Sequence, residues 1–394
     1  MARSVFALAL VLTLSARLSA DDKPKGLDAT VEGRTIAAWL KALSSKDEKE
    51  QEKASEALAK AGKTIVPQLI VGLKNPNAEL REHSAQILGT IGEDAKEAVN
   101  PLIKVLADKK PEVRGAAASA LGGIGPAAKD AVKPLIELLK DKDEAVQEQA
   151  AHGLGGIGPD AKDAIDPLIA ALKGDLEGLQ EAAAEALGGI GPDAVKAAPD
   201  LLAALKKTKE PEFKATILRS LGGIGYKEPD GLRALIGGLR AKEDEIKIGA
   251  AEGLGLLGAD AKSATKPLIN ALKDKSDEVR VAVAEALGSI GEDAKAAVPG
   301  LTETLKDKSD DVRSSAATAL GNMGKAAAPA VKAIAEMLTD TNDDVRDSAL
   351  NALGSLGPVA KDAIPAIKAI IATSDDDDFK EMANDVIKMI EGKE

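Results

Sequence analysis

"SDEVRVAVAEALGSIG", residues Ser276 to Gly291, decides how the chain is read. Val279, Val283, Ala286, Leu287 and Ile290 recur three or four residues apart, the spacing of one helix face. Ser276 or Asp277 stands ahead of the run as a cap. Gly291 follows it, where a left-handed helix end favours a residue without a β-carbon. A short connection, "EDAKAAVPG", leads to a second amphipathic segment, "LTETLKD". Proline falls in the first turn of that segment, where a missing N–H costs little.

The same unit recurs along the chain. Related pentapeptides begin at Leu88, Leu121, Leu154, Leu187, Leu221, Leu254, Leu287, Leu320 and Leu353, 33 residues apart with a single 34-residue step before Leu221. A degenerate copy, "LAKAG", begins at Leu58. A fixed period of this size marks a solenoid. Within it, "GLGGIG" (Gly153 to Gly158) and "GLGLLG" (Gly253 to Gly258) have the spacing of a dinucleotide-binding loop. That loop needs a strand before it and a helix after it. The segment before Gly153, "DEAVQEQAAH", is alanine-rich with helical periodicity, so these glycines close a helix instead. The inner glycine, as at Gly122 or Gly288, costs up to about 1 kcal/mol relative to alanine inside a helix. Close helix–helix approach is the expected compensation, and Ala117, Ala118 and Ala120 fit it.

Composition agrees. The 394 residues include no cysteine, two histidines and 1% aromatics. Large cores usually lean on aromatic residues, whereas alanine, leucine and glycine suit closely packed helices. The net charge is −12 and no run of lysine or arginine stands out, which argues against a nucleic-acid backbone as partner. Without cysteine there is no disulfide and no cysteine-linked lipid anchor. Residues 1–20, "MARSVFALALVLTLSARLSA", read as a signal peptide: a basic start, an apolar run from Val5 to Leu14, then small residues. The run is short for a membrane span. Cleavage is expected after Ala20, with Ala16 as the other site, and would remove Arg3 and Arg17, taking −12 to −14. An exported, periplasmic or extracellular protein follows as the expectation.

The units "EVRGAAASALGGIG", "EVRVAVAEALGSIG" and "DVRSSAATALGNMG" resemble HEAT repeats of the short type found in phycobilisome-lyase-like proteins, over about residues 47 to 391. Ankyrin repeats share the period, but no "TPLHxA" is present. Tetratricopeptide repeats need aromatics that this chain lacks. "GRTIAAWLKAL", with Trp39, is similar to the leading helix of exported bacterial HEAT proteins. The resemblance implies an all-α, right-handed α-solenoid of about ten helix pairs with terminal capping helices. The expected organisation is a signal peptide (1–20), a linker and capping helix (21–45), the solenoid (46–375) and a closing helix (376–394). Capping is expected because a repeat array exposes apolar faces at its ends.

The resemblance also implies an Asp–Arg ladder between adjacent repeats. Asp108 and Arg114, Asp274 and Arg280, Asp307 and Arg313, and Asp340 and Arg346 carry it, each pair six residues apart, with Asn75 and Arg81 as a weaker version. Their role is structural: the aspartate accepts bonds at a turn and the arginine bridges to a neighbouring unit. In the middle of the chain the pattern departs, and both partners are expected to be lost together in three consecutive units. Asp141 stands with Gln147, Gly174 with Gln180, Lys207 or Thr208 with Lys214, and Ala241 with Lys247.

A second row carries the candidate binding residues. Lys140, Lys173, Lys206, Arg240, Lys273 and Lys306 share one repeat position at the end of the second helix, which in HEAT arrays lines the concave face. Cations there favour the helix dipole, and they also form an edge suited to an acidic partner. Tyr226, in the insertion "GYKEPDG", is a candidate anchor, while Trp39 belongs to the core of the leading helix. "SDDDDF", Ser374 to Phe379, lacks the glycine and distal glutamate of a calcium-binding EF-hand and reads as helix N-terminal acidity.

Catalysis is not expected. His83 and His152 lie in different repeats and registers, and neither is followed by the glutamate of the His–Glu pairs that iron-binding HEAT-fold hydroxylases use. There is no cysteine nucleophile, and no serine has a histidine partner at a recognisable spacing. No cofactor or metal is implied. The expected function is a non-enzymatic protein-binding scaffold using the concave face, as a monomer with neither nucleic acid nor a membrane as partner. A lyase- or chaperone-like accessory and a structural spacer without a ligand are the alternatives.

Overall fold

The computed structural model describes residues 30–43, 45, 47–374 and 376–392. The expected signal peptide, its cleavage sites at Ala16 and Ala20, and residues 21–29 of the expected linker lie outside the described residues, as does Asp375 of "SDDDDF". The protein is an all-α solenoid with one small exception. Thr30–Val31 and Arg34–Thr35 form a two-residue antiparallel hairpin, turned by Glu32 and Gly33 at positive φ. It leads into the helix Ile36–Ala42, where Trp39 is buried, donates from Nε1 to the Val31 carbonyl at 2.8 Å and carries the Arg34 guanidinium 4.6 Å above its ring.

The chain divides into two compact units, Met1–Ala194 and Val195–Glu394. In the first, Glu48–Lys60, Ala78–Ile91, Pro111–Ile124, Glu144–Ile157 and Glu177–Ile190 are the first helices of repeats one to five; Val66–Gly72, Val99–Val105, Val132–Leu138 and Ile165–Leu172 are the second helices of repeats one to four. The second unit begins with the second helix of repeat five, Ala198–Lys207. The first helices of repeats six to ten follow as Pro211–Gly223, Asp244–Leu257, Asp277–Ile290, Asp310–Asn322 and Asp343–Leu356. Their second helices are Pro229–Gly238, Thr265–Ala271, Val298–Thr304, Val331–Glu336 and Ile364–Thr373, and Asp377–Glu391 closes the unit. Within each unit successive first helices pack along their length, and each second helix packs on the first helix that follows it.

The local causes are visible in repeat eight. The Ser276 hydroxyl accepts from the Val279 amide at 3.3 Å, capping Asp277–Ile290. Val279, Val283, Ala286, Leu287 and Ile290 are buried. Gly288 compensates for its helical cost by proximity: a β-carbon there would lie 2.8 Å from the Ala319 Cα in the next first helix. Gly291 has the expected positive φ, 70°, but ψ is −140°, beyond the left-handed helix. This glycine-dependent conformation sends the chain directly into a 3₁₀ segment, Gly291–Ala297, rather than into an irregular connection. Ala294 and Ala297, three residues apart and hence on one side of a three-residue turn, are fully buried. Repeat six, which holds the 34-residue step, has no such 3₁₀ segment between Pro211–Gly223 and Pro229–Gly238. "GLGGIG" closes the helix Glu144–Ile157, as its periodicity predicts.

Candidate functional site

All six cations of the candidate row are exposed. They follow a buried or half-buried leucine that anchors the end of the second helix, as Leu239 precedes Arg240 and Leu272 precedes Lys273. The anchor faces inward, so the next residue turns outward. The row falls as two segments: Lys140 and Lys173 in the first unit, and Lys206, Arg240, Lys273 and Lys306 in the second. Lys173 is engaged with neighbouring groups, and Lys273 lies 3.7 Å from Glu303, a contact between exposed side chains. Such exposed pairs contribute little and leave the charge available. In the second unit a shallow recess beside the row is lined by Leu239, Arg240, Pro267, Asn270, Lys273 and Asp274, the last of these neutralised by Lys247.

The row is one edge of a wider face that the sequence reading did not single out. Ile236 and Ile269 are half-exposed in the middle of their helices, and Arg233 and Lys266 are exposed on the far side. Lys74 holds the row's register position in repeat one. The signal was present as cations seven residues apart, Arg233 with Arg240 and Lys266 with Lys273, one within the helix and one in the turn that closes it.

The ladder lies beside this row. Arg81, Arg114, Arg280 and Arg313 each place Nε and Nη2 against the aspartate 27 residues later, and Nη1 against the main-chain oxygen six residues earlier. The rungs are therefore Arg81–Asp108, Arg114–Asp141, Arg280–Asp307 and Arg313–Asp340, with Lys247–Asp274 as a fifth at 2.9 Å. Two expectations change. Arg81 makes a full rung, because its carboxylate is Asp108 rather than Asn75. The three middle units do not all lose their rung, since Lys247 completes one with Asp274; ahead of them, Asp141 completes the rung of Arg114. Gln147 keeps only the main-chain bond, donating to the Asp141 carbonyl at 2.6 Å, and Gln180 donates likewise to the Gly174 carbonyl. Arg346 bonds the Asp340 carbonyl and Asp343; Thr373 stands where its carboxylate would be. Burial opposes ionisation of Asp108, Asp141, Asp274 and Asp307. The cation facing each and the backbone amide two residues on together outweigh it and hold the carboxyl below its ordinary range. At Asp340 the Arg313 hydrogen bonds are the foremost cause of the same shift.

The remaining candidates are apart from the row. The Tyr226 ring covers Gly231, and its hydroxyl donates to Asp230 at 3.0 Å, so it fills the changed loop of repeat six. His83 Nδ1 lies 2.7 Å from the Glu79 carbonyl. His152 Nδ1 lies 3.2 Å from Glu185, whose hydrogen bond raises the imidazole against the opposing effect of burial, with help from Glu148 and Glu181. Asp376 accepts from the Asp378 and Phe379 amides, so that acid caps the closing helix. Among the described residues no group of three or more acids and histidines is placed to hold a metal, and no helix is long and apolar enough to cross a membrane.

A family model for HEAT repeats matches residues 36–109, 99–188, 165–255, 232–321 and 298–388. Among solved structures, the chain is similar to Kap95p, whose binding induces the switch loops of RanGDP to adopt the GTP-bound conformation (TM-score 0.52, 14% identity, 98% of this chain and 58% of Kap95p). It also matches Kap121p (TM-score 0.47, 17% identity, 98% of this chain and 47% of Kap121p) and an engineered protein (TM-score 0.39, 23% identity, 91% of this chain and 99% of the other). The chain thus spans about half the length of these two Kap proteins. No curated protein matches its sequence.

Proposed function

The chain belongs to the HEAT-repeat family, and from that premise we propose that it is a non-enzymatic protein-binding scaffold whose contact surface is the exposed face of the second helices. Its partner is an acidic protein surface. The observation that carries this reading is the segment Lys206, Arg240, Lys273 and Lys306, four exposed cations at one repeat position in a chain whose net charge is −12. Repeats suit the task because each adds one more strip to an extended surface. Kap95p, of the same fold, engages RanGDP; for this chain the support is its own surface. Export directed by residues 1–20 is a separate proposal, checked by whether the mature protein begins at Asp21.

The test is a charge reversal, Lys206→Glu with Arg240→Glu and Lys273→Glu. Affinity capture with the parent chain is compared with the variant, and thermal stability is recorded alongside. A partner retained by the parent, released by salt and lost from an equally stable variant supports the reading. Capture that survives the reversal with the same salt dependence removes this edge as the contact.

A further inference from the structure

The second helices of repeats six and seven carry the same four-position face. Arg233, Ile236, Gly237 and Arg240 stand at i, i+3, i+4 and i+7, as do Lys266, Ile269, Asn270 and Lys273. The first three of each set share one side of the helix, and Arg240 and Lys273 stand in the turn that closes it, just past Gly238 and Ala271. The outer members are exposed cations, the isoleucines are half-exposed, and Gly237 and Asn270 are exposed and uncharged. Seven residues at near-helical rise span about 10 Å, close to the diameter of a helix with its side chains, about 10–12 Å. Two cationic rows thus flank an aliphatic strip one helix wide. Repeat five extends the strip with half-exposed Leu202 and the outer row with Lys206.

Acids close the middle of this face in three other repeats: Glu137 in repeat three, Glu303 in repeat eight and Glu336 in repeat nine occupy the register of Gly237, whereas Val71, Lys104 and Ala170 hold it in repeats one, two and four. In repeats five to seven that position is Ala203, Gly237 and Asn270. A β-carbon at Gly237 would meet nothing within 4 Å, so the strip is open there. The recess lined by Leu239, Arg240, Pro267, Asn270, Lys273 and the Lys247-paired Asp274 adjoins it.

We propose that the second helices of repeats five to seven receive an amphipathic acidic helix of the partner protein. Its aliphatic stripe sits on Leu202, Ile236 and Ile269. Its flanking carboxylates face Arg233 and Lys266 on one side and Lys206, Arg240 and Lys273 on the other. This rests on the scaffold reading above and adds the partner's chemistry. Charge complementarity selects an acidic occupant, the aliphatic strip favours protein over a phosphate backbone, and the spacing of the rows matches a helix laid in a groove.

The probe is a synthetic helical peptide with leucines at i, i+3, i+4 and i+7 between glutamates, read by fluorescence anisotropy against a scrambled peptide of the same composition. Binding of the patterned peptide about tenfold tighter than the scrambled one is expected. Two variants are expected to abolish that preference while circular dichroism and melting temperature are retained: Gly237→Glu, which places at repeat six the acid found in repeats three, eight and nine, and Arg233→Glu with Lys266→Glu. Equal binding of both peptides, absence of binding at low salt, or indifference to Gly237→Glu overturns the inference. A natural partner lost on reversal of Lys206, Arg240 and Lys273, yet indifferent to Gly237→Glu and to reversal of Arg233 and Lys266, also overturns it and leaves the scaffold reading standing.

Discussion

Arg280 in repeat eight is tied to Asp307 in repeat nine by two parallel hydrogen bonds, Nε to Oδ2 at 2.8 Å and Nη2 to Oδ1 at 2.7 Å. The same guanidinium holds its own turn through the Asp274 carbonyl and Asp277, and Asp307 in turn accepts from the Ser309 amide. One side chain thus fixes the loop of its own repeat and the spacing to the next, with both partners mostly buried. A planar fork suits this, since each N–H has a fixed direction.

Replacing Arg280 with alanine should therefore cost about 2 kcal/mol, the scale of hydrogen bonds to charged groups whose partner is left buried. A urea denaturation curve reads it directly. A loss below about 0.5 kcal/mol, typical of exposed pairs, would show the rung to be incidental.

The glycines at close approaches should differ in sign from the open one. Gly288→Ala puts a β-carbon 2.8 Å from the Ala319 Cα. It should destabilise by about 1–3 kcal/mol, as overpacking does, despite the better helix propensity of alanine. Gly237→Ala meets no atom within 4 Å and should stabilise by up to about 1 kcal/mol. Thermal melts of the two variants side by side decide the matter.

Acid should dismantle the ladder. Asp108, Asp141, Asp274, Asp307 and Asp340 have carboxyls held below their ordinary range by the cations that face them together with the backbone amides two residues on. The folded chain binds these protons less readily than the unfolded chain. The stability they contribute is fully present above the unfolded value, about 3.9, and is lost as pH falls through the lower folded values. Stability should fall steeply below about pH 4, and the fall should be shallower in Asp307→Asn, seen in denaturation midpoints against pH.

His152 should act in the opposite direction. The Glu185 hydrogen bond raises its value in the folded chain. Its contribution is fully present below the unfolded value, about 6.5, and is lost as pH rises through the raised one. The gap in denaturation midpoint between the parent and His152→Gln should shrink from the acidic to the alkaline side of that range. A constant gap would show that the imidazole takes up its proton equally in the folded and unfolded chain.

A missing rung can be restored. Lys214 stands 27 residues before Ala241, as Lys247 stands before Asp274. Ala241→Asp should stabilise by about 1 kcal/mol, and the gain should vanish in Lys214→Gln, a coupling that a double-mutant cycle isolates.

How much of this was readable from residues alone varied with sequence distance. The helix of Ser276 to Gly291, its cap, its buried face and the positive φ of Gly291 follow from neighbours within a few positions. The 3₁₀ course of Gly291–Ala297 was missed because the left-handed cap and the observed conformation both call for glycine, and only ψ separates them. The ladder was misread in its middle. The six-residue spacing sets Asp141 beside Gln147, whereas its partner is Arg114, 27 residues back. The far side of the candidate face, Arg233 and Lys266, was passed over because a cation on a helix is commonplace until its neighbours across the repeat are known.

The sequence by itself determined the repeat, the two helices within it and which residues turn inward, because periodicity and turn chemistry are short-range properties that every 33-residue copy states again. Only the tertiary structure decided which charge meets which, how near Gly288 comes to Ala319, and that Ile236 and Ile269 lie between two rows of cations. Those relations depend on how one repeat is set against the next, and that placement is fixed by packing between residues far apart along the chain.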